Sequence, residues 1–276
     1  MKTITLSAFC ILLITSLQAQ YYYKDILLPK QTADQLQRYK SNKIRSVKAT
    51  SAETGREAAE GVQIDQSFNN NYSEVVTISK SSQMEGTTLI TNFNADGLIG
   101  KTVDTTDGAS STTTYAYDAS KRLSALVNSS ASTGQSTEKE EHLWRYTPAG
   151  QPLSMLKIRN GSDTTWFNFV LDEKGNVIEE KSTRKGKELL PYYYYYDDQN
   201  RLTDIVHYNP IAKRLLPDYI FEYDATGKMR SMLVVPPGGS DYQRWMYSYD
   251  DRGLKIKETV YNKNRQAMGM VEYRYE

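Results

Sequence analysis

The sequence predicts an all-β protein: an antiparallel meander of about seven hairpin repeats forming a long, twisted and curled sheet, with a short irregular N-terminal segment. Three observations carry this. A frame of aromatic, acidic and glycine residues recurs roughly every 26 residues across residues 88–276. The strand leading into each turn alternates with period two. Tyrosine dominates the rings, with 22 copies against 6 Phe and 3 Trp, and its apolar body with a polar tip suits a half-buried pleated surface.

The first 19 of the 276 residues read as a signal peptide. Lys2 supplies the basic start, Ile4 to Leu17 is apolar, and Ala19 offers a small residue before the cut. The apolar run is too short for a membrane span, so no membrane insertion is expected after cleavage. Cys10, the only cysteine, lies inside this segment. A lipoprotein reading of Cys10 fails on Phe9, where a small residue is needed. The mature chain is expected outside the cytoplasm (periplasmic, at the cell surface or secreted) without disulfide or thiol. Removing residues 1–19 takes away Lys2 alone among the charges, leaving 33 basic against 33 acidic side chains. That balance offers no large basic surface, so nucleic acid is not an expected partner.

Residues 20–87 form a polar N-terminal segment. Residues 31–61 show no sustained period and read as loosely helical or disordered. A strand near 72–80, in "YSEVVTISK", is expected to cap the first edge of the sheet.

Residues 88–276 form the repeat domain. With the aromatic residue before the turn as position zero, the copies start at Phe93, Tyr117, Tyr146, Leu171, Tyr196, Tyr223, Tyr249 and Tyr275, spaced 24, 29, 25, 25, 27, 26 and 26 residues apart. Position one supplies Asp118, Asp172, Asp197, Asp224 and Asp250, which open the turns. Position four supplies Gly97, Gly150, Gly175, Gly227 and Gly253, suited to a left-handed backbone. Lys121 breaks that rule and is expected to carry about 1 kcal/mol of strain. Position minus two is aromatic in seven of eight copies, from Tyr115 to Tyr273. One sheet face therefore carries aromatic columns. The five-tyrosine run at 192–196 puts Tyr192, Tyr194 and Tyr196 in those columns and leaves Tyr195 on the other face.

These residues resemble the YD repeats of the RHS/YD-repeat family. The resemblance rests on Tyr115, Tyr117, Asp118, Arg122 and Leu123, on Tyr194, Tyr196, Asp197, Arg201 and Leu202, and on Phe221, Tyr223, Asp224, Gly227 and Lys228. It covers about 180 residues and speaks to architecture rather than activity. Large members of the family build a spiralling shell around a toxic cargo. This chain has too few repeats for a closed shell, so that role is not carried over. It looks more like the short secreted YD-repeat proteins of Bacteroides-like Gram-negative bacteria.

Chemistry-bearing motifs are sparse. "GKT" at Gly100–Thr102 lacks the glycine five positions earlier, where Ala95 stands, and lacks the loop-to-helix context of a phosphate site. His142 and His207 read as packing or rim residues. Asp197–Asp198 and Asp250–Asp251 read as turn residues rather than paired catalytic carboxylates. No catalytic, cofactor-binding or metal site is assigned. The aromatic columns leave two readings open, a core or a platform stacking on sugars. The candidate contacts for a protein or glycan partner are Tyr195, Trp144, Trp166 and Trp245.

The expected function is a non-catalytic extracytoplasmic repeat protein, a binding or structural scaffold. One alternative is a carbohydrate-active enzyme using Glu138, Glu140 and Glu141 near His142. Another is an envelope component that self-associates through unpaired edge strands such as the one ending at Tyr275.

Overall fold

The computed structural model describes residues 21–54, 61–81, 84–106, 108–236 and 241–276, and the expected signal peptide lies outside the described residues. Helix α1 (Lys24–Ser41) comes first. Strands β1 (Ser46–Glu53), β2 (Gln63–Phe68), β3 (Glu74–Ser81) and β4 (Met84–Phe93) follow. Then come β5 (Ile99–Thr106), β6 (Ala109–Tyr117), β7 (Leu123–Ser132), β8 (Glu138–Tyr146) and β9 (Pro152–Arg159). Next are β10 (Asp163–Leu171), β11 (Val177–Arg184), β12 (Lys187–Glu188), β13 (Tyr192–Tyr196) and β14 (Leu202–Asn209). The chain finishes with β15 (Arg214–Tyr223), β16 (Met229–Val234), β17 (Gln243–Tyr249), β18 (Lys255–Tyr261) and β19 (Ala267–Tyr275).

The all-β class holds, but the open curled meander does not: the sheet is a closed antiparallel barrel. Each strand but β12 pairs with the next strand of the ring, and β19 pairs back onto β1, with Val47 opposite Tyr275 and Glu53 opposite Gly269. The two-residue β12 pairs only with β11, which itself pairs on to β13, so 18 of the 19 strands form the ring (19 less β12). The N-terminal segment is likewise not short and irregular. It supplies α1 and three strands, and these strands close the ring. The edge that the sequence leaves at Tyr275 is therefore paired, and Glu276 O accepts Arg45 N at 2.5 Å and Ser46 N at 2.9 Å.

Curvature comes from the turns. The pairing register slips by one residue just before position zero, at Asn92/Phe93, Ala116/Tyr117, Arg145/Tyr146, Val170/Leu171, Tyr195/Tyr196, Glu222/Tyr223 and Ser248/Tyr249. A bulge at each tight turn bends and twists its strand the same way. Lys121 does take a left-handed backbone, with φ 61°, as the turn demands.

A ring of 18 strands, about 4.8 Å apart and tilted near 40°, has a backbone diameter of roughly 36 Å. Side chains alone cannot fill that width. The N-terminal segment crosses it. Tyr21 and Tyr22 pack on Trp144, Phe167, Phe169, Tyr192 and Tyr194 from β8, β10 and β13. Leu36 and Tyr39 pack on Val47, Phe68, Val75 and Leu254, with Tyr273 and Tyr275, on the opposite arc. The 18-residue helix is about 27 Å long, the length of a chord. Its contacts lie towards the tight turns, so it crosses the barrel nearer that mouth.

Candidate functional site

The repeat frame is explained by contacts between neighbouring hairpins. The position-zero hydroxyl donates to the position-six carbonyl of the preceding copy. Tyr117 reaches Ile99 O at 2.9 Å, Tyr146 Leu123 O at 2.7 Å, Tyr196 Val177 O at 2.9 Å and Tyr223 Leu202 O at 2.8 Å. Tyr249 reaches Met229 O at 2.8 Å and Tyr275 Lys255 O at 2.5 Å. The position-one aspartate caps its own turn: Asp197 Oδ1 accepts Gln199 N at 3.0 Å and Arg201 N at 2.9 Å, while Oδ2 takes Arg201 Nε at 2.7 Å. Arg201 then lies 4.6 Å over the Tyr223 ring, as Arg122 lies 4.7 Å over Tyr146. Asp118, Asp172, Asp224 and Asp250 cap in the same way.

The four expected contact residues divide. Trp144 and Trp245 face inward, and Trp245 is 1% exposed, so neither reaches the outer surface. Trp144 stacks on Phe169 with centroids 5.0 Å apart. Trp166 and Tyr195 face outward, 45% and 49% exposed. Pairing runs Trp166–Thr183 and Glu179–Tyr193, which sets them roughly 20 Å apart along the strands.

The polar chemistry inside the barrel gathers where the N-terminal segment meets the wall. His142 Nδ1 lies 2.6 Å from Asp25 Oδ2, and its Nε2 lies 2.9 Å from Glu140 Oε1. Lys157 Nζ contacts Glu140 Oε2 at 2.7 Å and donates to Tyr22 Oη at 2.6 Å. Glu180 accepts Tyr22 N at 2.9 Å, Tyr23 N at 3.0 Å and the Tyr194 hydroxyl at 2.7 Å. Burial alone lowers the His142 pKa, but the carboxylates on both ring nitrogens raise it to about 9. Burial alone raises Glu140, yet hydrogen bonds from His142 and Lys157 draw it down to about 2. Burial lifts Glu180 to about 7, against the donors that favour its ionised form. A doubly bridged, protonated imidazole is a lock rather than a proton acceptor. These contacts dock the segment.

Glu138 pairs with Arg159 at 2.8 Å, and Glu141 with Lys139 at 2.8 Å. With Glu140 held by His142 and Lys157, the three glutamates do not converge on one space. Among the described residues, no group of three or more His, Cys, Asp or Glu could hold a metal ion. No described helix is long and apolar enough to cross a membrane, which says nothing of strands.

Asp25, Lys157 and Glu180 escaped the sequence reading. A signal for Glu180 existed. Position nine runs Thr102, Leu126, Met155, Glu180, Ile205, Met232 and Glu258, an inward column interrupted by two carboxylates. Both are buried and bonded, Glu258 to Lys255 at 2.6 Å and to the Tyr273 hydroxyl at 2.7 Å.

The outer face is uneven. Strands β1–β7 present Thr, Ser and charge outward, including Lys48, Thr50, Thr88, Lys101, Thr112 and Ser129, around a short aliphatic row of Val76, Ile90 and Val103. The arc from β8 to β15 presents Leu143, Leu156, Trp166, Val170, Ile178 and Tyr195. Charges are interspersed there too, among them Glu141, Arg145, Lys181 and Glu222.

No family model matches the chain and no curated protein matches it in sequence, so the YD-repeat resemblance rests on its own residues. Structural likeness is found to the crystal structure of TcdB2-TccC3-TEV, at TM-score 0.34 and 17% identity over 75% of this chain and 11% of that one. It is found to the Photorhabdus luminescens Tc holotoxin pore, at TM-score 0.35 and 16% identity over 81% and 12%. A porin-like protein from Bacteroides uniformis gives TM-score 0.41 and 8% identity over 84% and 98%. The chain spans only about an eighth of the length of the toxin chains.

Proposed function

We propose that the chain is a non-catalytic, extracytoplasmic binding scaffold: a barrel crossed by its N-terminal helix, whose β8–β15 wall meets a protein or glycan partner. The observation that carries this is the asymmetry of the outer face. Exposed Trp166, Tyr195 and Tyr208, with Leu143 and Val170, occupy one arc of a rigid ring, whereas the exposed apolar residues of the β18–β19 arc, Ile256 and Met270, carry no ring. Aromatic residues on a fixed scaffold are the usual anchors of recognition. The interior supports the non-catalytic part, because Asp25, His142, Glu140 and Lys157 already satisfy one another.

An 18-stranded ring also suits a membrane channel. The outer face opposes that reading. A lipid-facing wall needs an uninterrupted apolar band, and outward Lys101, Glu141, Lys181, Glu222, Arg274 and Lys48 break it around the circumference. The barrel is expected to stay monodisperse without detergent.

The test is binding of the chain from Gln20 onward to a glycan array and to envelope proteins, with a Trp166→Ala/Tyr195→Ala variant alongside. Loss of binding in the variant with an unchanged melting temperature supports the reading. Turnover of a glycan or peptide that disappears in Glu140→Gln overturns it in favour of an enzyme.

A further inference from the structure

We propose that the rim formed by the β11–β13 and β14–β15 connections is a docking surface for an anionic lipid bilayer. Two adjacent tips carry the same arrangement. One reads "KGKELLP" from Lys185 to Pro191, the other "IAKRLLP" from Ile211 to Pro217. Because β13 pairs with β14, the two tips stand side by side at the barrel mouth opposite α1.

Each tip joins exposed apolar side chains to free cations. Ile211 is 88% exposed, and Leu189, Leu190 and Leu215 are each about half exposed. Lys185, Lys187, Lys213 and Arg214 enter no ion pair within 4 Å among the described residues, whereas Arg184 beside them is tied to Asp163. Glu188 is the one acid in the two stretches. Lys185 and Lys213 occupy left-handed turn positions, with φ 50° and 52°, where glycine is the ordinary occupant. The turns thus hold a lysine at each apex.

The chemistry favours lipid over other anionic partners. A polysaccharide offers charge but no apolar phase for Ile211 and the leucines. A protein interface favours aromatic residues and arginine at its core and is depleted in lysine. A bilayer surface uses both halves: leucine and isoleucine enter the headgroup boundary while lysines remain at the anionic phosphates. Only the tips touch lipid, so the charged outer wall stays in water. Docking by this rim leaves the Trp166–Tyr195 wall facing sideways along the membrane.

Cosedimentation of the chain from Gln20 onward tests this, with vesicles of phosphatidylcholine alone and of phosphatidylcholine mixed with phosphatidylglycerol. The protein is expected to pellet with the mixed vesicles, to be released by salt, and to ignore the neutral ones. Each removed cation should weaken binding roughly fivefold. A Lys185→Glu/Lys187→Glu/Lys213→Glu/Arg214→Glu variant should therefore lose it altogether. A Leu189→Ser/Leu190→Ser/Ile211→Ser variant should also lose it at low salt. Failure of the unmodified chain to pellet with the mixed vesicles overturns the proposal without recourse to a variant. So does retention in the serine variant, or retention on heparin with no vesicle binding, since either result reduces the rim to a simple anion-binding surface.

Discussion

The two ends of the N-terminal segment share aromatic packing but differ in buried charge. Tyr21–Asp25 is fixed by buried charge and hydrogen bonds: Asp25 to His142, and the Tyr22 and Tyr23 amides to Glu180. Leu36 and Tyr39 are fixed by apolar and ring contacts, with Tyr39 edge-on to Phe68 at 5.3 Å. The first end adds to its ring packing directional bonds whose strength follows protonation. The second rests mainly on excluded area, which does not titrate. A chord through a barrel is positioned lengthwise by its directional end and held against the wall by its apolar one.

The comparison breaks most sharply at His142. A His142→Leu change leaves Asp25 and Glu140 without their shared partner and is expected to cost about 3–5 kcal/mol in denaturant unfolding. Next is pH. The His142 pKa rises from 6.5 to about 9 on folding. That stabilisation, about 3 kcal/mol, is complete below pH 6.5 and lost as pH climbs to 9. Glu180 rises from 4.5 to about 7, so the native state binds the extra proton and stability declines between those values by a similar amount, about 3 kcal/mol. Glu140 acts the other way, its contribution present above pH 4.5 and lost as pH falls towards 2. Melting temperature should therefore peak near pH 5. A Glu180→Gln variant should flatten the decline between pH 4.5 and 7 and keep the one between 6.5 and 9.

At the apolar end, Leu36→Ala should cost about 2–3 kcal/mol at every pH. A pH-dependent loss there would erase the distinction between the ends. A smaller effect is expected from Tyr223→Phe, which deletes one hairpin-to-hairpin bond and should cost about 0.5–1.5 kcal/mol. Smallest of all, Trp166→Ala on the outer wall should stay within about 0.5 kcal/mol of the unmodified chain.

What the sequence disclosed follows the range of the interactions involved. The turns were legible because Asp197 and Arg201 act within five residues of each other. The inward columns were legible because period two survives along each strand. The same alternation leaves Tyr195 49% exposed and its neighbour Tyr194 2% exposed. Closure was hidden, because β1 and β19 pair across more than 200 residues with no local mark at Val47 or Tyr275. The helix was only half legible, as a loosely helical or disordered stretch from residue 31, for a different reason. It lies across a lumen instead of on a surface, so its buried residues, Asp25, Pro29, Leu36 and Tyr39, are too few and too scattered to form a continuous apolar stripe. Trp144 and Trp245 shared their motif positions with Tyr and Phe, and only closure decided that those positions face inward.

The β1–β19 seam also sets a timetable. Strand β1 is made early, and its partner β19 follows more than 200 residues later. Until then β1 keeps one unsatisfied edge, and the aromatic columns lack their opposite wall. Contacts at such separation are slow to form, because loop closure comes before any reward. The interval before the ring closes is therefore when the chain is most open to mispairing with its neighbours.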